Sequence, residues 1–214
     1  MKRTEIVALS LALMALTATQ VLADTIDAYT TRQSLVTAAK KNESSIVAAP
    51  EALGGRRRAA LILFDAGPLS MTIGGGQAAY QLVGSGSQGA QIGWLWYVDP
   101  SGPIKPVDLT SGGKFDAFQI EVLEMSGPIV VQIDALDAYN RFDSVMAVVE
   151  KKPGQPLVYD FSTFISPSSP VKLDFTRIIG LQVEFDLHNR TAGSVRLGPL
   201  RTIKRLASPA PKKP

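Results

Sequence analysis

The chain has 214 residues, 45% of them apolar and 19% charged, with a formal net charge of +3. So small a basic excess makes too weak a field to imply nucleic acid as a partner. With no Cys and one His, His188, the chain has no disulfides, cysteine nucleophiles, thiolate metal sites or multi-histidine zinc centres. No metal and no cofactor is expected.

Residues 1–23 read as a secretory signal peptide. Lys2 and Arg3 make a positive start, residues 6–18 are almost uninterruptedly apolar, and Val21-Leu22-Ala23 supplies the exit before Asp24. The apolar run is shorter than the roughly 20 residues a bilayer span needs, and no later stretch reaches that length. Cleavage after Ala23 removes Lys2, Arg3 and Glu5, a net +1, and leaves a mature chain of charge +2. The expected location is secreted or periplasmic, and the remainder is long enough to bury one core.

Residues 24–52 read as an irregular lead-in, with a weak helical segment over 31–41. From residue 53 short runs rich in Val, Ile and Phe alternate with Gly, Pro, Ser, Asn and Asp clusters, the spacing of antiparallel strands. Strands are expected over 58–64, 69–73, 77–83, 90–97, 115–123, 128–134, 142–150, 157–161, 178–186 and 194–203. Gly74-Gly75-Gly76 reads as a tight hairpin turn, and 187–193, which holds His188, as a loop whose histidine is a solvated turn residue. These strands predict an all-β domain over 53–203, an antiparallel two-sheet jelly-roll sandwich rather than a small barrel. Residues 204–214 are rich in Pro and Lys and read as a disordered tail.

Some of these segments resemble known proteins. Ala52-Leu53-Gly54-Gly55-Arg56-Arg57 before a strand resembles the Gly-Gly-x-Arg start of a broad group of secreted bacterial β-sandwich proteins, many with a PEP-CTERM sorting tail. Val107-Asp108-Leu109-Thr110-Ser111-Gly112-Gly113, Tyr159-Asp160-Phe161-Ser162-Thr163-Phe164 and Leu173-Asp174-Phe175-Thr176 fit the same pattern. The last portion is also similar to the galactose-binding-like jelly rolls, including family-11 carbohydrate-binding modules and complex I intermediate-associated proteins. The resemblance covers 53–203 and implies a jelly roll with a polysaccharide or envelope component as partner. No Pro-Glu-Pro element with a membrane segment and Arg cluster is present, so that sorting route is not expected. The last strand lacks the acidic residue often found in the carbohydrate-binding relatives, so no calcium or sugar contact is expected there.

The candidate site residues are aromatic and polar. Ile92-Gly93-Trp94-Leu95-Trp96-Tyr97 holds both tryptophans of the chain. Trp94 and Trp96 share a strand face, where they either fill the core, leaving Tyr97 and Gly93 outward, or form a flat platform for a pyranose ring. Alternation puts Gln119, Glu121, Gln132, Asp134, Gln182 and Glu184 opposite the apolar residues of their strands. They are either ordinary solvated surface or one polar row that hydrogen-bonds sugar hydroxyls, in which a carboxylate pair could cleave glycosides. One of Arg56, Arg57 and Arg58 is expected to pair with an acidic residue near the turn at Asp108 or Asp116, the alternative being a contact with anionic polysaccharide. The leading reading is an exported, non-catalytic module that binds glycan. Beside it stand a structural or protein-interaction component of the envelope or matrix, and a glycan hydrolase or lyase.

Overall fold

The computed structural model describes residues 23–37, 41–63, 68–82, 91–97, 105–149, 154–164, 171–186 and 192–205. The chain enters through β1 (Ala23–Asp27), β2 (Gln33–Thr37) and β3 (Asn42–Ala48), then makes a 3-10 turn at Leu53–Gly55. Gly54 and Gly55 both have positive φ, 77° and 73°, the left-handed backbone that glycine adopts without steric cost. Next come β4 (Arg56–Leu63), β5 (Leu69–Gly74), β6 (Gln77–Leu82) and β7 (Gln91–Trp96). The rest is β8 (Ala117–Ser126), β9 (Ile129–Asp137), β10 (Phe142–Val149), β11 (Pro156–Asp160), β12 (Ile178–Asp186) and β13 (Gly193–Ile203).

One sheet has six strands, β10-β9-β12-β7-β4-β3, and the other has seven, β11-β8-β13-β6-β5-β2 with β1 also on β13. All these pairings are antiparallel. From β6 to β9, and again from β10 to β13, each strand but β10 lies in the opposite sheet from the one before, the winding of a jelly roll. The expected two-sheet sandwich is therefore the observed fold. Leu61, Leu95, Val131, Ile133, Val183 and Phe185 from the six-stranded sheet meet Met71, Tyr80, Phe118, Ile120, Val122 and Leu197 from the other. Burying each such side chain is worth about 1.5–3 kcal/mol.

Three segments of the sequence share one turn device. Asp108, Asp160 and Asp174 each accept a hydrogen bond on Oδ1 from the backbone N–H two residues on, at Thr110, Ser162 and Thr176 (2.8, 2.8 and 3.0 Å). Each turn pushes its middle residue, Leu109, Phe161 or Phe175, into the core. Phe161 and Phe175 stack at 4.1 Å between centroids, with Phe118 and Phe164 packed edge-on around them.

The lead-in differs from its expectation. Residues 24–52 carry β1, β2 and β3, and the helical segment over 31–41 is replaced by strand β2. β2 does alternate, with Gln33, Leu35 and Thr37 inward, but two of those positions are polar and show no apolar stripe. Inside, their polarity is satisfied. Gln33 donates to Ser45 O and Oγ (3.0 and 2.8 Å), and Thr37 Oγ1 donates to Lys41 O (3.0 Å). Of the tail over 204–214, Lys204 pairs with Asp116 and Arg205 with Asp116 and Asp160, while 206–214 lie outside the described residues. So do residues 1–22 of the expected signal peptide, and His188.

The expected pairing of the arginine run is also corrected. Among the described residues Asp108 caps its own turn and Asp116 meets Lys204 and Arg205, and neither forms an ion pair with Arg57 or Arg58. Arg57 instead points between the sheets, fully buried, and its Nη1 binds both oxygens of the equally buried Asp27 (2.9 and 2.7 Å). Its Nε donates to Gln33 Oε1 (3.0 Å) and its Nη2 to Thr31 O (2.7 Å). Burial lifts the Asp27 pKa although Arg57 opposes it, so desolvation outweighs attraction at this carboxylate. Arg57→Met should therefore cost about 3–5 kcal/mol in urea unfolding, because it strands a buried charge. Adding Asp27→Leu should recover at least half of that loss; a double variant as weak as the single one would contradict a desolvation-dominated pair.

Candidate functional site

Strand register brings four of the six polar candidates together. Asp134 on β9, Gln182 on β12, Trp96 on β7 and Arg58 on β4 stand abreast across the six-stranded sheet. Gln132, Glu184, Trp94 and Ala60 form the adjacent row. Gln119 and Glu121 belong to β8 in the other sheet, on the opposite side of the sandwich, so the single polar row is corrected to two separate groups. There they line a shallow cleft of about 250 Å³ with Pro156, Pro199 and Arg201. Alternation assigned the residues to wet faces but could not say which strands were neighbours.

In β7 and the residue after it Gly93, Leu95 and Tyr97 point inward, so of the two readings of the tryptophans the core-filling one, with Gly93 and Tyr97 outward, is overturned. Tyr97, a candidate ligand contact, is buried and donates its phenol O–H to Tyr29 Oη (3.2 Å). The inward position 93 holds glycine because a Cβ there would lie 2.6 Å from Tyr80 Cε2. The aromatic concentration straddles both faces of one strand. Leu95, between the two indoles, was the available signal for which way they point.

Trp96 is 39% exposed and Trp94 half-buried, with ring centroids 6.4 Å apart and planes tilted by 42°. The pair is thus an angled wall rather than a flat platform. Trp94 Nε1–H donates to Glu184 Oε2 (2.7 Å), which fixes that indole. The Arg58 guanidinium lies over the Trp96 ring, 5.5 Å from its centroid. Asp134 is only 4% exposed; its two oxygens accept from Gln132 Nε2 (2.6 Å) and Gln182 Nε2 (2.7 Å). A carboxylate only accepts, so both amides must present N–H to it, with their carbonyl oxygens turned away. Asp134 is a positioning residue for the two glutamines.

Beside these groups lies a cleft of about 490 Å³. Asp134 and Gln182 contribute its polar lining, Trp96 and Arg58 bound one end, and Leu136, Phe142 and Ile179 supply apolar walls. That volume and that mixture suit a small-molecule or saccharide site. Phe142 is a lining residue that sequence reasoning missed, and that Arg58 shares a cleft with it and with Asp134 was not readable, since they are far apart in the chain. Among the described residues no three His, Cys, Asp or Glu side chains are grouped to hold a metal. Nor is any described helix long and apolar enough to cross a membrane.

No family model matches the chain, and no curated protein matches it. Solved structures similar to it include a family 11 carbohydrate-binding module from a cellulosomal cellulase of Clostridium thermocellum. That match has 14% identity and a TM-score of 0.40, over 88% of this chain and 98% of that one. A family 30 carbohydrate-binding module matches at 10% identity and TM-score 0.43, over 91% and 94%. An agarase matches at 12% identity and TM-score 0.43 over 66% of this chain, which spans 22% of the agarase.

Glu184 connects the site to pH. Burial raises its pKa above the ordinary 4.5, helped by the charges of Asp134 and Asp186 and opposed by the Trp94 hydrogen bond. The folded state therefore holds this proton more tightly than the unfolded chain does. The group's contribution to stability is full below the ordinary pKa and is lost as pH rises through the folded value. Tryptophan emission should titrate with a midpoint above 4.5 in the wild type and lose that transition in Glu184→Gln. A midpoint below 4.5 would mean that the Trp94 bond outweighs burial.

Proposed function

We propose that this chain is an exported, non-catalytic β-sandwich module that binds glycan on the outer face of its six-stranded sheet. The observation that carries the reading is the outward pair Trp94 and Trp96 beside a cleft with oriented amide groups. Indole faces pack on the apolar face of a sugar ring, while carbonyl oxygens of Gln132 and Gln182 accept from hydroxyls. Of the sequence candidates, Trp94, Trp96, Gln132, Gln182, Asp134 and Glu184 make up this site, directly or by positioning. Export is supported by the Val21-Leu22-Ala23 motif, and cleavage there keeps the β1 pairings from Asp24 onward. Intact-mass analysis of exported material should find a chain beginning at Asp24; retained Met1 would contradict it.

A second reading, a protein-interaction component of the envelope or matrix, is favoured by edge strand β10. Phe142, Met146 and Val148 stand 54%, 63% and 62% exposed there. An apolar, unpaired edge is a surface on which another chain can pair.

A glycan array followed by calorimetric titration decides between them. Interaction worth about 5 kcal/mol corresponds to a dissociation constant of order 0.1–1 mM, so titration rather than pull-down is needed. Trp96→Ala should abolish saccharide binding at a stability cost of about 1 kcal/mol or less, against about 3–5 kcal/mol for truncating a core aromatic. Failure of the folded wild type to bind any saccharide would leave the protein-interaction reading.

A further inference from the structure

We infer that the cleft takes an anionic saccharide, with Arg58 holding its carboxylate or ester sulfate. The inference rests on the glycan-binding reading and names the ligand class. Arg58 sits in β4, a strand flanked on both sides, with Trp96 and Ile46 as its cross-strand neighbours. Its Nε is buried and has no hydrogen-bond partner, and among the described residues Arg58 forms no ion pair. A buried donor without a partner is costly, and natural structures seldom keep one that nothing satisfies.

The stacking geometry says which part of the group is free. Lying over the Trp96 ring engages the flat face of the guanidinium. The N–H donors lie in the guanidinium plane, where their fork matches the two oxygens of a carboxylate or sulfate. Arg58 also bounds the cleft, so its terminal Nη donors, beyond the buried Nε, are the ones a saccharide oxyanion would meet.

The carboxylates on the same face do not cancel this preference. Asp134 holds one amide donor on each oxygen, from Gln132 and Gln182, and Glu184 Oε2 receives Trp94 Nε1 and, at 3.5 Å, Gln182. Both are therefore already engaged, whereas the cation is not. Asp134 stands three strands from Arg58 and Glu184 two, with one row offset. At about 4.8 Å per strand and about 3.3 Å per residue along it, these are backbone separations of roughly 14 and 12 Å, beyond a Debye length at physiological salt. A ligand oxyanion on Arg58 would meet the guanidinium at contact and the carboxylates through screening solvent.

The test is calorimetric titration of the mature protein with two matched pairs of probes. One pair is oligogalacturonate and the same oligosaccharide after carboxyl reduction; the other is a sulfated galactan oligosaccharide and its desulfated form. The wild type should bind at least one charged probe about 10-fold tighter than its neutral partner at low salt, the yield of one charge-assisted contact. Arg58→Gln should erase that gap, and Arg58→Lys should keep part of it, with unchanged melting temperatures showing that both variants fold. Which pair shows the gap tells carboxylate from sulfate. Equal binding of charged and neutral probes, or a gap that survives Arg58→Gln, overturns the inference and leaves glycan binding standing. Binding of no saccharide at all overturns both.

Discussion

The phase of β4 sets both the interior and the surface. Arg57 points between the sheets to Asp27, and Arg58, one residue on, points outward over Trp96. Side chains alternate along a strand, so these two placements are one fact. Asp27 belongs to β1 and Gln33 to β2 in the seven-stranded sheet, and both bind Arg57 of the six-stranded one. The guanidinium thus ties the first strands to the far layer. A one-residue slip would bring Arg56 or Arg58 to Asp27 in place of Arg57, but it would turn Leu61 and Leu63 out of the core. The pair adds little net stability, since desolvation dominates it, and the register is held by the apolar residues that follow it. Specifying the register in this way also specifies which residues face the cleft.

The site is built on strands rather than loops. β9, β12, β7 and β4 are neighbours in the sheet, and none of them is an edge strand. Hydrogen bonds then fix the side chains on that face, Trp94 through Glu184 and the two glutamines through Asp134. Preorganised groups lose less rotamer freedom when a ligand arrives, which matters most where the total affinity is small.

The ten strands beyond residue 53 were legible because most obey a period of two with apolar residues inward, β10 with its buried Asp143 and exposed Phe142, Met146 and Val148 being a departure, and the observed spans differ by a few residues at most. β1, β2 and β3 were not legible. Their inward positions include Asp27, Gln33 and Thr37, polar residues whose partners come from distant segments, so no local pattern marks them. The faces of Gln132, Asp134, Gln182 and Glu184 were readable from alternation, and so were those of Gln119 and Glu121. Their division between two sheets was not, because it depends on strand order. The direction of Trp94 and Trp96 was left open by their size: bulky aromatics are usually inside, but Tyr80 already fills the space under β7 that Gly93 leaves. Asp108, Asp160 and Asp174, read from the sequence as part of a family resemblance, here close turns.

The central claim is that ligands meet the outer face of the six-stranded sheet. The chain has two tryptophans, so a nitrogen-15 correlation spectrum of the mature protein contains two indole N–H signals, one per residue. Titrating in an oligosaccharide selected by the array should shift both, together with the side-chain amides of Gln132 and Gln182, and leave that of Gln119 on the opposite sheet in place. Still indoles alongside a moving Gln119 amide would put the binding surface on the other side of the sandwich and contradict the account.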